Sequence, residues 1–292
     1  MNKIEDILIE LSLIEQDNIE ILSDKVRDRN DVGVKICKDS GIIYLSTTSH
    51  IDEKYYDKKS ISECWNNSDD WKDSLAVTKD DDDRRFSKFE ELFKNKICMD
   101  YGCGNGGLLK KIKTISKEVI GIEIQSDIVR ELNTYGYNVE KNINATPNNK
   151  FDTVSMFHVL EHLINPIETL SDIKNKLKSG GKIIIEVPHA NDFLISQAKS
   201  KSFMDFTFWS EHLILHTKKS LTEFLKRAGY KNINIVGQQR YPLSNHLYWL
   251  SHGKPNGHNI FDGFNDDELI SKYEDVLKKL NLTDTIIAIA EK

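Results

Sequence analysis

Residues 97–107 read ICMDYGCGNGG, an apolar run that closes on an acid and turns through four glycines in six positions. A strand that enters a helix through such a loop opens a parallel α/β unit, because the glycines supply the tight turn and the close backbone approach. The periods after it agree. Strand-like runs recur at 119–123, 151–157, 182–187 and 233–236, with a weaker one near Val139, and helical runs at 107–115, 126–135, 166–178 and 218–228 fall between them. KSGGK, 178–182, reads as a helix end feeding a strand. The alternation predicts an α/β, Rossmann-like doubly wound, mostly parallel sheet with helices on both faces. TDTIIAIAEK closes the sequence with no helix after it, which predicts an antiparallel last strand.

Outside this core the pattern changes. Ile4, Ile7, Leu8, Leu11, Ile14 and Ile21 predict an amphipathic helix over residues 3 to about 23, and VKICKDSGIIYLS predicts a hairpin. Another helix is expected around Phe86–Phe93, and Asp80–Asp83 with Arg84 and Arg85 reads as a solvated loop. The division is 1–85 as an N-terminal helix and hairpin appendage, 86–237 as the core, 238–283 as a substrate cap with a helix at about 266–280, and 284–292 as the closing strand.

Composition narrows the partners. A net charge of -6 and a pI near 5.9 offer no basic stripe for phosphates, so no nucleic acid is expected. Glu5, Glu10 and Glu15 interrupt the first apolar residues, no signal sequence is expected, and no run reaches bilayer length; no membrane partner and a cytoplasmic location follow as expectations. Cys37, Cys64, Cys98 and Cys103 have no paired spacing, so a disulfide framework is not expected. The oligomeric state is open.

Gly102, Gly104 and Gly107 satisfy the dinucleotide spacing, and Glu123, 123 − 102 = 21 residues past the first glycine, is placed to bind ribose hydroxyls. Asp100 decides between ligands. Its carboxylate would repel a pyrophosphate but attract an ammonium, which points to S-adenosylmethionine over NAD.

ICMDYGCGNGG, VIGIEI, FDTVSMFHVLEHL and LKSGGKIIIEVP, in order and spacing, resemble the motifs of class I S-adenosylmethionine-dependent methyltransferases. The resemblance covers about residues 95–237 and the last strand. It implies cofactor contacts at Asp100, Gly102, Cys103, Gly104, Glu123, Ile124, Phe157, His158 and His162, with Asn142 or Ile143 flanking adenine, although EKNINATPNNK departs from the usual acid-led motif. S-adenosylhomocysteine is the implied product.

FTFWSEHLILHTKKSLTEFLKRAGY, with VPHAND and the N-terminal hairpin, resembles bacterial sugar C-methyltransferases. Those carry a C-x-x-C-G zinc half-site where this chain has Cys37, Ser40 and Gly41, so structural zinc is not expected. HVLEH, 158–162, also lacks the H-E-x-x-H spacing, and no metal is expected there. The resemblance implies His212 as base with Glu211, and His189 is the rival base at a strand end. Tyr56, Trp209, Arg240, Tyr241, Asn245 and His246 are the expected substrate contacts.

The resulting expectation is a methyltransferase acting on a carbohydrate, a nucleotide-linked sugar or a surface-polysaccharide precursor, with O-methylation preferred over C-methylation. The alternatives are a small non-sugar acceptor, such as a quinone precursor, and a catalytically silent cofactor-binding module.

Overall fold

The computed structural model describes residues 2–51, 55 and 71–292. Tyr56 and Cys64 lie outside the described residues.

Seven strands form the main sheet. In chain order they are β4 (Ile97–Tyr101), β5 (Glu118–Ile122), β6 (Val139–Glu140), β7 (Phe151–Phe157), β8 (Leu177–Pro188), β10 (Lys231–Gln238) and β11 (Thr285–Glu291), and their spatial order is β10-β11-β8-β7-β4-β5-β6. β11 is antiparallel to both neighbours while β4 to β8 pair in parallel, as the missing final helix predicted. The centre is apolar on both faces: Ile183, Ile184, Ile185 and Val187 of β8 are all fully buried. Helices α3 (Gly107–Lys113), α4 (Ser126–Thr134), α5 (Pro166–Lys176) and α8 (Lys218–Arg227) fall at the expected places. KSGGK differs slightly, because α5 ends at Lys176 and the segment already belongs to β8.

A smaller antiparallel sheet, β1 (Ile19–Ser23), β2 (Val34–Cys37), β3 (Ile43–Leu45) and β9 (Ile214–Leu215), joins the N-terminal hairpin to the segment after residue 207. Ile43 pairs with Leu215 and Tyr44 with Ile214. The long N-terminal helix is corrected here. α1 (Lys3–Glu10) stops before Ser12, whose φ is +53°, and Ile19–Ser23 pairs with β2 instead. Alternation at Ile19 and Ile21 suits an edge strand, and a neighbouring hairpin edge satisfies its backbone.

The acidic run is also corrected. Asp80–Asp83 lie within α2 (Trp71–Phe93), one helix that crosses the 85/86 division. Asp82 is buried and accepts the Thr78 hydroxyl at 2.7 Å, while Asp83 pairs with Lys79 and Lys111 on the outside. Carboxylates four residues from their partners are ordinary helical pairs.

The region before the last strand holds α9 (Leu243–His252), α10 (Gly257–Ile260) and α11 (Asp267–Leu280), the last at the expected place. Two short helices, α6 (Phe193–Ser196) and α7 (Lys201–Thr207), follow β8. No helix among the described residues is long and apolar enough to cross a membrane.

Candidate functional site

β4 delivers Asp100 and then the glycine loop at the carboxyl edge of the sheet. Gly102, Gly104 and Gly106 have φ of +73°, +50° and +78°, conformations that favour glycine. Gly102 is doubly constrained, since a Cβ there would lie 2.3 Å from Val159 Cγ2. The loop turns onto β5, with the Gly102 and Cys103 amides donating to the Ile122 carbonyl at 2.8 and 3.0 Å. The Cys103 thiol packs inward against Gly121, within the core cluster of Leu109 and Val139, so any ligand contact from this residue is a backbone one.

The two acids of this edge differ in surroundings. Asp100 is buried and accepts the Ser155 hydroxyl at 2.7 Å; burial pushes its carboxyl up to about 7. Glu123 accepts the amides of Gly104 and Gln125, both at 3.0 Å, and burial raises its pKa too. An uncompensated carboxylate in this setting is a receptor for a cation. Ile143 is buried in a short turn that Asn142 caps by accepting the Asn144 amide at 2.8 Å, and Asn142 and Ile124 are exposed.

Phe157, the last residue of β7, stacks on Phe89 of α2 with centroids 5.9 Å apart, and the Arg85 guanidinium lies 5.0 Å over the same ring. His158 follows with φ +53°. Its Nδ1 donates to Glu161 at 3.0 Å, and its Nε2 lies 3.3 Å from Glu186 and 2.8 Å from an Arg240 nitrogen. Burial would lower the imidazole pKa, but the bonds to Glu161 and Glu186 outweigh it and raise it. Glu186, fully buried on β8, takes a bidentate contact from Arg84 at 2.8 and 2.9 Å, and Arg85 donates twice to its Oε1 at 2.8 and 3.2 Å. Those cations hold its pKa well below the usual carboxylate value against the desolvation cost. The cluster pins α2 across the sheet edge.

Beyond His158 opens a cavity of about 560 Å³. His162, Trp209, His212, Arg240, Tyr241, Asn245 and His246, all expected from the sequence, line it together with His158. His212 packs edge-on against His162 and Trp209, with ring centroids 5.1 and 5.2 Å away. Burial, helped by the positive field of His162, pulls His212 down to about 3, so it is a neutral imidazole at ordinary pH. His246 stacks on Phe193 at 5.6 Å and its Nδ1 meets the Tyr273 hydroxyl at 2.7 Å.

Sequence reasoning missed several wall residues. Arg27, which follows β1, reaches the cavity and lies 5.1 Å over Phe206 and 5.0 Å over Trp209. Trp249 packs against Phe203 and Phe206, each 5.2 Å away, and Asp192 and Asp284 supply buried carboxyls pushed up, chiefly by burial, to about 8 and about 6. Nothing in the local spacing around Arg27 points to a site some 180 residues away.

Two expected catalytic residues are placed elsewhere. His189 is buried behind the cavity wall, with Nδ1 donating to the Thr283 carbonyl at 2.9 Å and burial pulling its pKa to about 4. Glu211 is buried, and the carboxylate grouped with His212 and His162 is that of Glu161. Adjacent residues point in different directions, whereas the turn after β7 and the turn before β9 converge.

A family profile described as a methyltransferase domain matches residues 80–235. Among curated proteins, a tRNA U34 carboxymethyltransferase of Pseudoalteromonas atlantica is 26% identical over 158 residues, 50% of this chain and 48% of that protein. A protein of the same name from Vibrio cholerae is 29% identical over 175 residues, 54% of this chain and 53% of that protein. The chain thus spans about half the length of the curated relatives it matches. A solved S-adenosylmethionine-dependent methyltransferase from Archaeoglobus fulgidus superposes with a TM-score of 0.52 at 23% identity, covering 79% of this chain and 97% of that one. That likeness shows the fold.

These relatives correct two expectations. They are named for tRNA and not for sugars, which overturns the carbohydrate or nucleotide-sugar acceptor, and with it the exclusion of nucleic acid. Net charge sums the whole surface and does not by itself exclude nucleic acid, because local cations matter; Arg27 and Arg240 both line the cavity.

Proposed function

Because the chain belongs to the methyltransferase-domain family, with S-adenosylmethionine as the cofactor, we propose that it alkylates a nucleobase of a folded RNA, with tRNA the first candidate. The observation that carries this reading is the aromatic and histidine-lined cavity beside the glycine loop. An enzyme that works on a base must take it out of its stack, and a wall of Trp209, Tyr241, Phe206 and Trp249 offers stacking surface to the extracted ring. The volume, about 560 Å³, suits a nucleoside-sized ligand. Arg27 and Arg240 provide cationic edges for a phosphate or a base carbonyl.

On the cofactor side, Asp100 would receive the ammonium of the methionine portion and Glu123 would accept from the ribose hydroxyls. Bound S-adenosylmethionine supplies an activated carbon, and its thioether leaves without needing a proton. What the chain must do is align the acceptor and take its proton. Neutral His212 on the cavity wall is the base we assign, and Glu161 opposite stabilises the imidazolium that results. Glu211 and His189 would support the wall from behind.

The test uses total tRNA from cells that lack this gene, incubated with the purified chain and either S-adenosylmethionine or its carboxylated sulfonium analogue. Nucleoside mass spectrometry should show one nucleoside gaining a methyl or a carboxymethyl mass, and the donor that works fixes which. A protein that binds the cofactor but adds nothing to any RNA would end the nucleobase reading.

A further inference from the structure

Glu161, His162 and His212 meet at the cavity wall, and each offers one donor atom such that all three atoms lie within 4.8 Å of one another. Glu161 and His162 come from the turn after β7, and His212 from the turn before β9. The Leu213 amide donates to the Glu161 carbonyl at 2.9 Å, which fixes the two turns against each other. We propose that these three side chains form a divalent transition-metal site of the two-imidazole, one-carboxylate kind, with its open positions facing the acceptor cavity.

The unsatisfied atoms point the same way. Glu161 is fully buried; its Oε1 accepts from His158, while Oε2 has no hydrogen-bond partner among the described residues. His212 Nδ1 is likewise buried without a partner among them. A carboxylate oxygen and a ring nitrogen left unpaired in a protein interior are unfavourable, and native folds rarely tolerate them without a ligand. A cation held between Glu161 and His212 would give the carboxylate and the ring a further partner. Donors bound at roughly 2.0–2.2 Å to one ion lie some 3–3.5 Å apart, so the three side chains would draw together by about 1–2 Å on binding it.

The donor set selects the ion. Two imidazoles and one carboxylate suit Zn²⁺ or its first-row neighbours better than Mg²⁺, which keeps oxygen ligands and several waters. His158 then acts as an outer partner, donating to the oxygen of Glu161 and orienting the carboxylate. Three protein ligands leave at least one coordination position for water, and an ion there would take His212 out of the base role assigned above and give that role to the bound water. That last role rests on the nucleobase reading; the site itself does not.

The experiment strips the purified full chain with EDTA and measures binding of Zn²⁺, Mn²⁺ and Co²⁺ by equilibrium dialysis with elemental analysis, using the Co²⁺ absorption spectrum to report geometry. One ion per chain is expected, with tetrahedral or five-coordinate Co²⁺ bands. His212→Asn and Glu161→Gln should each weaken binding at least tenfold, while circular dichroism and retained S-adenosylhomocysteine binding show that the variants are folded. His162→Gln provides a third variant should Glu161→Gln fail to fold. A wild-type chain that takes up no stoichiometric ion, or folded variants that bind it equally well, would overturn the site. Ion binding without RNA modification keeps the site and removes the acceptor reading; RNA modification without ion binding does the reverse.

Discussion

The glycine-loop edge and the aromatic cavity lie at the carboxyl edge of the same sheet, yet they are assembled in opposite ways. Asp100, Gly102, Gly104 and Glu123 come from one continuous strand–loop–helix–strand unit, and each makes its key contact inside it or with the adjoining strand. The cavity draws Arg27 from near the N-terminus, His158 and His162 from the turn after β7, Trp209 and His212 from before β9, and Arg240 to Trp249 from the last quarter of the chain. The difference teaches where change is cheap. A locally encoded cofactor edge survives wide divergence, whereas a wall built from distant segments can be refitted to a new acceptor by loop substitutions alone.

The largest expected effect lies at the joint between the halves. Glu186→Gln removes the shared counter-charge of Arg84 and Arg85 and should cost about 3–5 kcal/mol in urea unfolding, because it strands cations in a largely desolvated place. An effect below about 1 kcal/mol would show that solvent reaches the cluster and that the halves are not pinned there. Gly102→Ala comes next. Its positive φ and the approach of Val159 should together cost about 2–4 kcal/mol and weaken S-adenosylhomocysteine binding sharply in calorimetry.

Trp209→Ala should separate the two regions cleanly. If the proposed RNA acceptor holds, losing one stacking face is worth about 1–3 kcal/mol to its affinity, seen as a raised KM for that RNA, with S-adenosylhomocysteine affinity within about twofold of wild type. Equal losses for both ligands would erase the division.

The smallest effect is a pH dependence. Asp100 titrates near 7 in the free chain, and only its ionised form attracts the cofactor ammonium, so affinity should fall by up to about tenfold per unit as pH drops below 7. Calorimetry from pH 8 to pH 6 measures it, and Asp100→Asn should bind weakly with a flat profile. The same raised pKa has the opposite sign for stability: the native state keeps a proton that the unfolded chain has lost, so the ligand-free fold should lose stability as pH rises from about 4 to 7.

Much of the cofactor edge was legible because its signals are local. Glycines at positive φ, an acid at a strand end and an acid one unit later are encoded within a few residues of where they act. The antiparallel last strand and the helix near 266–280 were readable for the same reason. The first helix was misjudged because Ile4 to Leu11 carry a helical period that Ile19 and Ile21 do not continue, and the hairpin edge that captures them lies further along the chain. The grouping of Glu161 with His212 was not legible because the two lie far apart in sequence, whereas Glu211 and His212 are neighbours whose side chains diverge in direction. Glu161, more than fifty residues upstream, meets His212 because β9 docks beside the turn after β7.

By itself, then, the sequence determined the strand–helix alternation, the glycine loop and the strand-end positions of Asp100 and Glu123, since backbone sterics and period act over a few residues. The tertiary structure alone decided the acceptor wall, the Arg84–Arg85–Glu186 joint and the meeting of Glu161, His162 and His212. Such contacts depend on which segments pack together once the sheet buries its apolar faces, and burial sets the charge state of every group they enclose.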